Sequence, residues 1–176
     1  MTIRACVAAD FDRMLEVINE SAQAYRGIIP ADRWHDPYMP AEELKREIGD
    51  GVQFECIEED GVILGVMGIQ DRGEVALIRH AYVTTARRGG GVGTALLGHL
   101  ESATSKPILI GTWAAATWAI SFYQKNGYTL VAEPEKSELL RRYWSIPERQ
   151  VETSVVLADA KRSSATRSGA TRSAKK

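Results

Sequence analysis

Four glycines fall within five positions between a predicted strand and a predicted helix, directly after two arginines, in the segment Arg87-Arg88-Gly89-Gly90-Gly91-Val92-Gly93. Glycine lets the backbone approach a ligand closely and adopt torsions that a side chain disfavours. A helix that begins near Gly93 directs its unpaired N–H groups and the positive end of its dipole to the same place. The two guanidinium groups add cationic donors that suit phosphate oxygens. The segment therefore predicts an anion site, and a diphosphate fits it better than a single carboxylate.

Two common phosphate-binding motifs do not fit these glycines. A P-loop requires Gly-Lys-Ser/Thr at the start of the helix, but Thr94 follows Gly93 with no lysine before it. A dinucleotide fingerprint that opens at Gly91 requires glycine or alanine at position 96, which is Leu96. It also requires an acidic residue about 20 positions further on, and residues 107–113 contain none.

The elements around the glycines follow from hydrophobic spacing. Ile3 to Val7 predicts a first strand, and Asp10 is a suitable N-cap for the helix that follows. One face of that helix carries apolar residues at steps of three, four and seven, namely Phe11, Met14, Leu15, Ile18, Ala22 and Tyr25. After a loop rich in aromatic residues and proline, Pro40 predicts the start of a second helix, which Gly49 to Gly51 ends.

Three strands then form a predicted meander that runs into the glycines, at Val52 to Glu58, Val62 to Gln70 and Glu74 to Val83. A helix marked by Leu96, Leu97, Leu100 and Ala103 follows the glycines. The remaining predicted elements are a strand at Ile108 to Trp113, a helix at Thr117 to Asn126, and strands at Tyr128 to Val131 and Gln150 to Leu157. This mixed order predicts an α+β fold of the three-layer α/β type, with an antiparallel sheet that contains a parallel step.

At this point the sequence resembles the GNAT N-acetyltransferase superfamily. The pyrophosphate loop of that family reads Gln or Arg, two residues, Gly, one residue, and Gly or Ala, which Arg88 to Gly93 match in full. Ala81-Tyr82-Val83 occupies the strand end whose backbone, in the family, pairs with the pantetheine arm of the coenzyme. Residues 119–128, Ala-Ile-Ser-Phe-Tyr-Gln-Lys-Asn-Gly-Tyr, are similar to the second family signature. The matched elements run from about residue 62 to residue 131.

The resemblance implies a central, mostly antiparallel sheet of about seven strands flanked by about four helices, and acetyl-CoA as co-substrate with no metal. It assigns coenzyme binding to Ala81, Tyr82, Val83, Arg88, Gly89, Gly90, Gly91, Val92, Gly93, Thr94 and Phe122. Two positions depart from the family, because Thr85 stands where proline is common and Ala116 where asparagine often contacts the coenzyme.

The resemblance also implies catalytic roles. Tyr123 matches the tyrosine that serves as general acid toward the departing thiolate, and backbone N–H groups near Tyr82 and Val83 suit polarisation of the carbonyl. Family bases on the third meander strand align with positions 77 and 79, which are leucine and arginine here. Simple alternation places His80 on the other face, so a structural role fits His80 as well as a catalytic one, unless a bulge rotates the strand. Glu74 and a water chain are the other candidates.

The acceptor site is expected near the aromatic side chains of the first loop and of the second signature. These are Tyr25, Trp34, His35, Tyr38, Trp113 and Trp118. Packing in the core or in a lid is an equally good interpretation for each of them.

Composition and charge limit the domain organisation and the binding partners that can be expected. A chain of 176 residues with 44% hydrophobic residues suits one domain at residues 1–158, followed by a basic, disordered tail at 159–176. Residues 161–176 carry six Lys or Arg and no acid, so the rest has 16 basic and 23 acidic residues, a charge of −7. This acidic body argues against nucleic-acid binding, except through the tail.

The remaining expectations concern location and partners. Neither a secretory signal nor a membrane span is evident, so a cytoplasmic protein is expected. Cys6 and Cys56 lie in apolar runs without metal-ligand spacing and are expected to be buried free thiols. A homodimer is compatible with the sequence. The function expected is acetyl transfer to a primary amine of a small molecule, such as an amino acid or polyamine. The alternatives are a protein N-terminal or lysine acetyltransferase and a non-catalytic acyl-CoA-binding module.

Overall fold

A computed structural model describes residues 1–162 of the chain. Most of the predicted tail, from residue 163 to residue 176, lies outside the described residues. The strands are β1 (Thr2–Ala5), β2 (Val52–Glu59), β3 (Val62–Asp71), β4 (Ala76–Val83), β5 (Ile108–Trp113), β6 (Thr129–Leu130) and β7 (Ser154–Ala158). The α-helices are α1 (Phe11–Ala22), α2 (Ala41–Gly49), α3 (Val92–Ser102), α4 (Thr117–Lys125), α5 (Glu135–Tyr143) and α6 (Glu148–Glu152).

The strands form one seven-stranded sheet in the order β1-β2-β3-β4-β5-β7-β6. The pairs β1/β2, β2/β3, β5/β7 and β6/β7 are antiparallel. This confirms the predicted α+β fold with a mostly antiparallel sheet. Within residues 1–162 the α-helices exceed the four expected, because α5 occupies a segment to which the sequence analysis assigned no element and α6 overlaps the start of the predicted last strand.

Two compact units share the chain, Met1–Asp71 with Ile78–Ser105, and Arg72–Leu77 with the chain from Lys106 onward. The first unit contains the helix that the apolar spacing predicted, since Met14, Ile18 and Ala22 are buried on one face of α1. Its core continues over β2 and β3 through Val52, Phe54, Cys56, Ile63 and Val66. Both thiols are free, and burial raises the pKa of each, although Cys6 is only half-buried.

Asp10 does not cap α1 with its side chain as expected. Its carboxylate accepts the Val7 N–H at 2.8 Å and pairs with Arg4 at 2.7 Å, and it makes no side-chain bond to the amides of α1. It therefore holds the turn that enters the helix. The Arg4 guanidinium also keeps the pKa of Asp10 below its usual range.

The second unit has a separate core beneath α5. Lys136, Leu139, Leu140 and Tyr143 are buried on one face of that helix, at steps of three and four. The core of this unit also includes Val75, Leu77, Leu109, Val151 and Val156. The predicted strand at Gln150 to Leu157 is wrong in its first part, because residues up to Glu152 form α6 and β7 begins at Ser154.

None of the helices within residues 1–162 combines the length and the apolar character needed to cross a membrane.

Two glycines on β3 allow the backbone of β4 to approach closely. A Cβ atom at Gly65 would lie 3.2 Å from the Tyr82 carbonyl oxygen, and one at Gly68 would lie 3.0 Å from the Arg79 carbonyl oxygen. The Gly68 position would also bring that Cβ within 2.7 Å of a Val52 methyl group. The two glycines of β3 therefore let β4, which carries several predicted site residues, pack closely against that strand.

We expect Gly68→Ala to lower the free energy of unfolding by about 1–3 kcal/mol, because the added methyl overpacks against a backbone carbonyl that cannot move cheaply. Gly49→Ala is the matched control, since no atom lies within 4 Å of its Cβ position. Urea unfolding followed by circular dichroism measures both variants. Equal stability of the two variants would contradict the close approach of β3 and β4.

Candidate coenzyme and active site

The glycine segment forms a loop that ends on the N-terminus of α3. Gly89 and Gly91 have φ of 78° and 79°, a left-handed conformation that favours glycine. Gly91 is the N-cap of α3, and its carbonyl oxygen accepts the first helical hydrogen bond, from Ala95, at 2.9 Å. A Cβ atom at Gly89 or Gly91 would meet no protein atom within 4 Å. The protein therefore leaves open space beside both glycines at the start of α3, where the predicted diphosphate site would need room for a ligand.

The two arginines before the glycines contact the protein in different ways. Arg87 forms an ion pair with the Glu59 carboxylate, which offsets its charge. The Arg88 Nη2 atom donates to the Ser21 carbonyl oxygen at 2.9 Å. Because a carbonyl does not neutralise a cation, Arg88 keeps its positive charge beside the loop. Arg88 therefore suits an anionic ligand better than Arg87 does.

The C-terminal turn of α1 holds the start of this loop. The Ser21 hydroxyl donates to the Val83 carbonyl oxygen at 2.7 Å, and the Glu20 carboxylate accepts the Thr85 N–H at 3.0 Å. Ser21 is 5% exposed, so its bond is shielded from water. Sequence analysis missed Ser21, although its place beside Ala22 on the buried face of α1 marks it as an internal polar group.

The end of β4 carries the predicted backbone contacts to the coenzyme. Tyr82 is buried and its ring lies 6.4 Å from the Tyr25 ring, edge to face, while Ala81 and Val83 are half-buried. The Thr84 N–H donates to the Leu64 carbonyl oxygen at 2.8 Å, which ties the strand end to β3. Val92 and Thr94 lie in the first turn of α3, where Val92 is buried and Thr94 is exposed.

His80 has φ of 53°, an unusual value for a residue inside a strand. Its Nε2 atom lies 3.2 Å from Glu47 Oε2, and the neighbouring Arg79 contacts the same oxygen at 2.8 Å. In a regular strand two successive side chains point to opposite faces. The simple alternation predicted for β4 is therefore wrong at His80, where the positive φ lets two successive side chains reach one carboxylate.

Glu47 is the acidic residue that sequence analysis missed. It lies on α2, three residues after the buried Leu44, a spacing that places both side chains on one helical face. Burial alone would raise the pKa of Glu47, but His80 and Arg79 outweigh burial and lower it. The Glu47 carboxylate is therefore ionised at neutral pH.

Glu74, the other candidate base, lies before β4, at the opposite end of that strand from Val83. Its carboxylate accepts Arg142 at 2.7 Å and the Tyr143 hydroxyl at 3.0 Å, and its side chain is 71% exposed. These contacts tie Glu74 to α5. A structural role accounts for all of them.

Tyr123, the candidate acid, lies on α4 in the second unit and is 6% exposed. Its ring packs edge to face against Phe122 at 5.1 Å and against Tyr128 at 6.0 Å. The Tyr128 N–H donates to the Tyr123 carbonyl oxygen at 3.1 Å, in the turn made by Gly127. The second signature thus forms a rigid aromatic turn around Tyr123.

The aromatic residues of the first loop form one cluster centred on Tyr38. Its ring lies 5.4 Å from Tyr25, 5.7 Å from Trp34 and 6.1 Å from His35. Because Tyr25 also contacts Tyr82, this cluster reaches the end of β4. In the second unit, Trp113 is buried and Trp118 is 44% exposed.

A group of possible metal ligands lies elsewhere in the first unit. One ligand atom from each of Cys6, Asp10 and Cys56 lies within 4.8 Å of the others. Sequence spacing missed this group because strand pairing brings the two cysteines together. Arg4 occupies the Asp10 carboxylate, and its charge opposes a cation at this position.

Comparison with known proteins gives a match to one family model. Residues 50–130 match the family model described as acetyltransferase (GNAT) domain, and this segment contains the glycine loop, β4 and the whole second signature. No curated protein sequence matches the chain. This match covers 81 of the 176 residues, from 50 to 130, and with the seven-stranded sheet it supports the resemblance to the GNAT acetyltransferases.

Several solved structures share the fold. One is the PaiA N-acetyltransferase of Thermoplasma acidophilum in complex with coenzyme A, with 18% identity and a TM-score of 0.68, over 90% of this chain and 99% of that one. YncA, a putative acetyltransferase of Salmonella typhimurium with acetyl-CoA, has 25% identity and a TM-score of 0.57, over 75% and 81% of the two chains. The ribosomal-protein-S18-alanine N-acetyltransferase of Escherichia coli has 16% identity and a TM-score of 0.60, over 90% and 92%.

We expect Gly91→Val to weaken coenzyme A binding at least tenfold. A branched side chain strains the left-handed position by about 1–3 kcal/mol and projects into the open side of the loop. Gly98→Val is the control, since Gly98 lies within α3 without a positive φ and with open space at its Cβ position. Isothermal calorimetry with coenzyme A measures both affinities. An unchanged affinity for Gly91→Val would remove the loop from the binding site.

Proposed function

We propose that this protein transfers the acetyl group of acetyl-CoA to a primary amine of a small molecule. The proposal depends mainly on one observation, the open glycine loop that ends on the N-terminus of α3 with Gly89 and Gly91 in left-handed conformations. The match of residues 50–130 to the GNAT domain model and the coenzyme-bound structures with the same fold support acetyl-CoA as the donor.

The residues present suit each end of the coenzyme that the family uses. We assign the diphosphate to the amides of residues 89–94 and to the charge of Arg88, and the pantetheine arm to the backbone of residues 81–83. When bound, acetyl-CoA supplies an activated acetyl group as a thioester. The protein supplies orientation, donors for the carbonyl oxygen, and groups that accept and donate protons.

Direct attack on the thioester is the mechanism that needs the fewest groups. The amine nitrogen forms a bond to the carbonyl carbon, the carbon–sulfur bond breaks, and the sulfur leaves with that electron pair. A base must take the extra proton from the nitrogen, and an acid must protonate the sulfur. By its place in the second signature, Tyr123 is our candidate acid, and His80 is our candidate base.

Two features favour a small cationic acceptor. The aromatic cluster around Tyr38 reaches Tyr82 through Tyr25, so aromatic rings that can attract a cation lie beside the end of β4. Excluding residues 161–176, the chain carries 16 basic and 23 acidic residues, and this negative charge attracts amines in their protonated form.

A protein acceptor is the second candidate. The observation in its favour is the shared fold with acetyltransferases named for alanine of a ribosomal protein, from Escherichia coli and from Brucella melitensis. These relatives have 16% and 20% identity to this chain. The acceptor panel described below distinguishes the two candidates.

We expect Tyr123→Phe to lower kcat about 100-fold and to leave coenzyme A binding unchanged, because it removes one proton donor and keeps the packed ring. Tyr128→Phe removes a hydroxyl from the neighbouring buried tyrosine and is the matched control. Thiol release from acetyl-CoA is measured with lysine, spermidine, 2-phenylethylamine and a hexapeptide with an N-terminal alanine. Fastest turnover of the peptide would replace the small-molecule proposal with the protein one. Coenzyme binding without turnover of any acceptor would favour the non-catalytic module.

A further inference from the structure

The geometry points to Glu47 as a positioning residue that holds the Nε2–H of His80, so that His80 Nδ1 takes the proton from the attacking amine. This inference rests on the proposed function and deepens it. It adds α2, an element outside both family signatures, to the catalytic machinery.

The first observation is a pair of buried polar atoms that face each other. His80 Nε2 and Glu47 Oε2 lie 3.2 Å apart, with side-chain exposures of 14% and 18%. Neither atom completes a well-directed hydrogen bond within residues 1–162. A buried polar atom left without a hydrogen bond destabilises the folded state. A proton on Nε2 that points at the carboxylate satisfies both atoms after a small rotation of either group.

The second observation is that the carboxylate is fixed from its other side. Arg79 Nη2 donates to Glu47 Oε1 at 3.0 Å, and Arg79 Nη1 donates to the Gln70 side-chain oxygen at 3.2 Å. Gln70 in turn donates to the Asp50 carbonyl oxygen at 2.9 Å. The Glu47 carboxylate therefore cannot swing away from the imidazole without breaking this chain of bonds.

The imidazole ring is held as well. It stacks on the Phe54 ring at 5.9 Å between centroids and an interplanar angle of 27°. The charged groups that face it are Glu47 from α2 and Arg79 from β4, whereas β2 contributes the neutral Phe54. With Nε2 directed to Glu47, Nδ1 has no hydrogen-bond partner among the described residues and is available to a ligand.

The third observation is the backbone at His80. A φ of 53° is unfavourable for a non-glycine residue inside a strand, and it persists where the surroundings hold it. Strain of this kind clusters at functional sites. Here it turns the imidazole onto the face of Glu47 and Arg79, which regular alternation would have prevented.

The proton transfers balance in this arrangement. As the nitrogen–carbon bond forms, Nδ1 takes one proton from the nitrogen, and the resulting imidazolium is paired with the Glu47 carboxylate through Nε2–H. The sulfur leaves with the electron pair of the broken carbon–sulfur bond and is protonated by solvent. His80 then loses its proton to solvent.

The test is the pH dependence of kcat/KM for the fastest acceptor of the panel above, measured with acetyl-CoA and the full chain. We expect the kcat/KM of His80→Asn to be about 100-fold lower than that of the wild type, since asparagine tolerates the positive φ but provides no base. Glu47→Gln should lower kcat/KM on the order of tenfold. It should also move the acid limb of the pH profile to lower pH, because a neutral amide stabilises the imidazolium less than a carboxylate does. Glu47→Asp should restore the position of that limb.

Glu42→Gln is the matched control, because Glu42 lies on the same helix with an exposed side chain paired to Lys45. A Glu47→Gln profile that coincides with that of Glu42→Gln would overturn the inference, as would His80→Asn within twofold of wild type. Nitrogen-15 NMR of the imidazole gives a separate readout, with Nε2–H expected and Nδ1–H contradicting the assignment. If Glu47→Gln does not fold, the kcat/KM of His80→Asn and the tautomer of His80 in the wild-type protein decide. Neither measurement removes the Arg79–Glu47 pair.

Calorimetry with coenzyme A distinguishes a failure of the proposed function from a failure of the role of Glu47. If the wild-type protein neither binds coenzyme A nor releases thiol, the proposed function fails. If it binds and turns over but Glu47→Gln behaves as wild type, only the role of Glu47 fails.

Discussion

The hydrogen bonds between the end of α1 and the end of β4 are the interactions on which the glycine loop depends. Ser21 donates to the Val83 carbonyl oxygen, Glu20 accepts the Thr85 N–H, and Arg88 donates back to the Ser21 carbonyl oxygen. A loop with this many glycines has a large conformational entropy to lose. These three bonds restrict the residues on its N-terminal side, while α3 restricts its C-terminal side. The glycines can therefore adopt left-handed torsions without leaving the loop free to collapse.

Much of the fold could be predicted from local sequence patterns, because those patterns report burial directly. The apolar spacing of α1, the hairpin of β2 and β3 and the strand Ile108–Trp113 all reflect one face packed against a core. The helix α5 is different, since only three of its nine residues are apolar and Lys136 is among the buried ones. A lysine on the inner face hides the period of three and four that would otherwise predict a helix.

In the candidate site, too, residues that are adjacent in the chain could be predicted, whereas contacts between distant segments could not. The glycine loop could be found because its chemistry is contiguous in the chain. The contacts of Glu47 with Arg79 and His80 join α2 to β4, 32 residues further on, and no local spacing predicts such a pairing. The orientation of His80 was also beyond the sequence, because period-two alternation holds only while every residue of a strand keeps extended torsions.

The left-handed backbone at His80 also limits which residues this position accepts. Asparagine, aspartate and glycine tolerate such torsions, whereas a β-branched side chain there would distort β4 beside Tyr82. Directed evolution toward new acceptors would therefore find few usable substitutions at position 80. The first loop offers more freedom, since Trp34 and His35 lie outside regular strands and helices and can change without altering the path of the sheet.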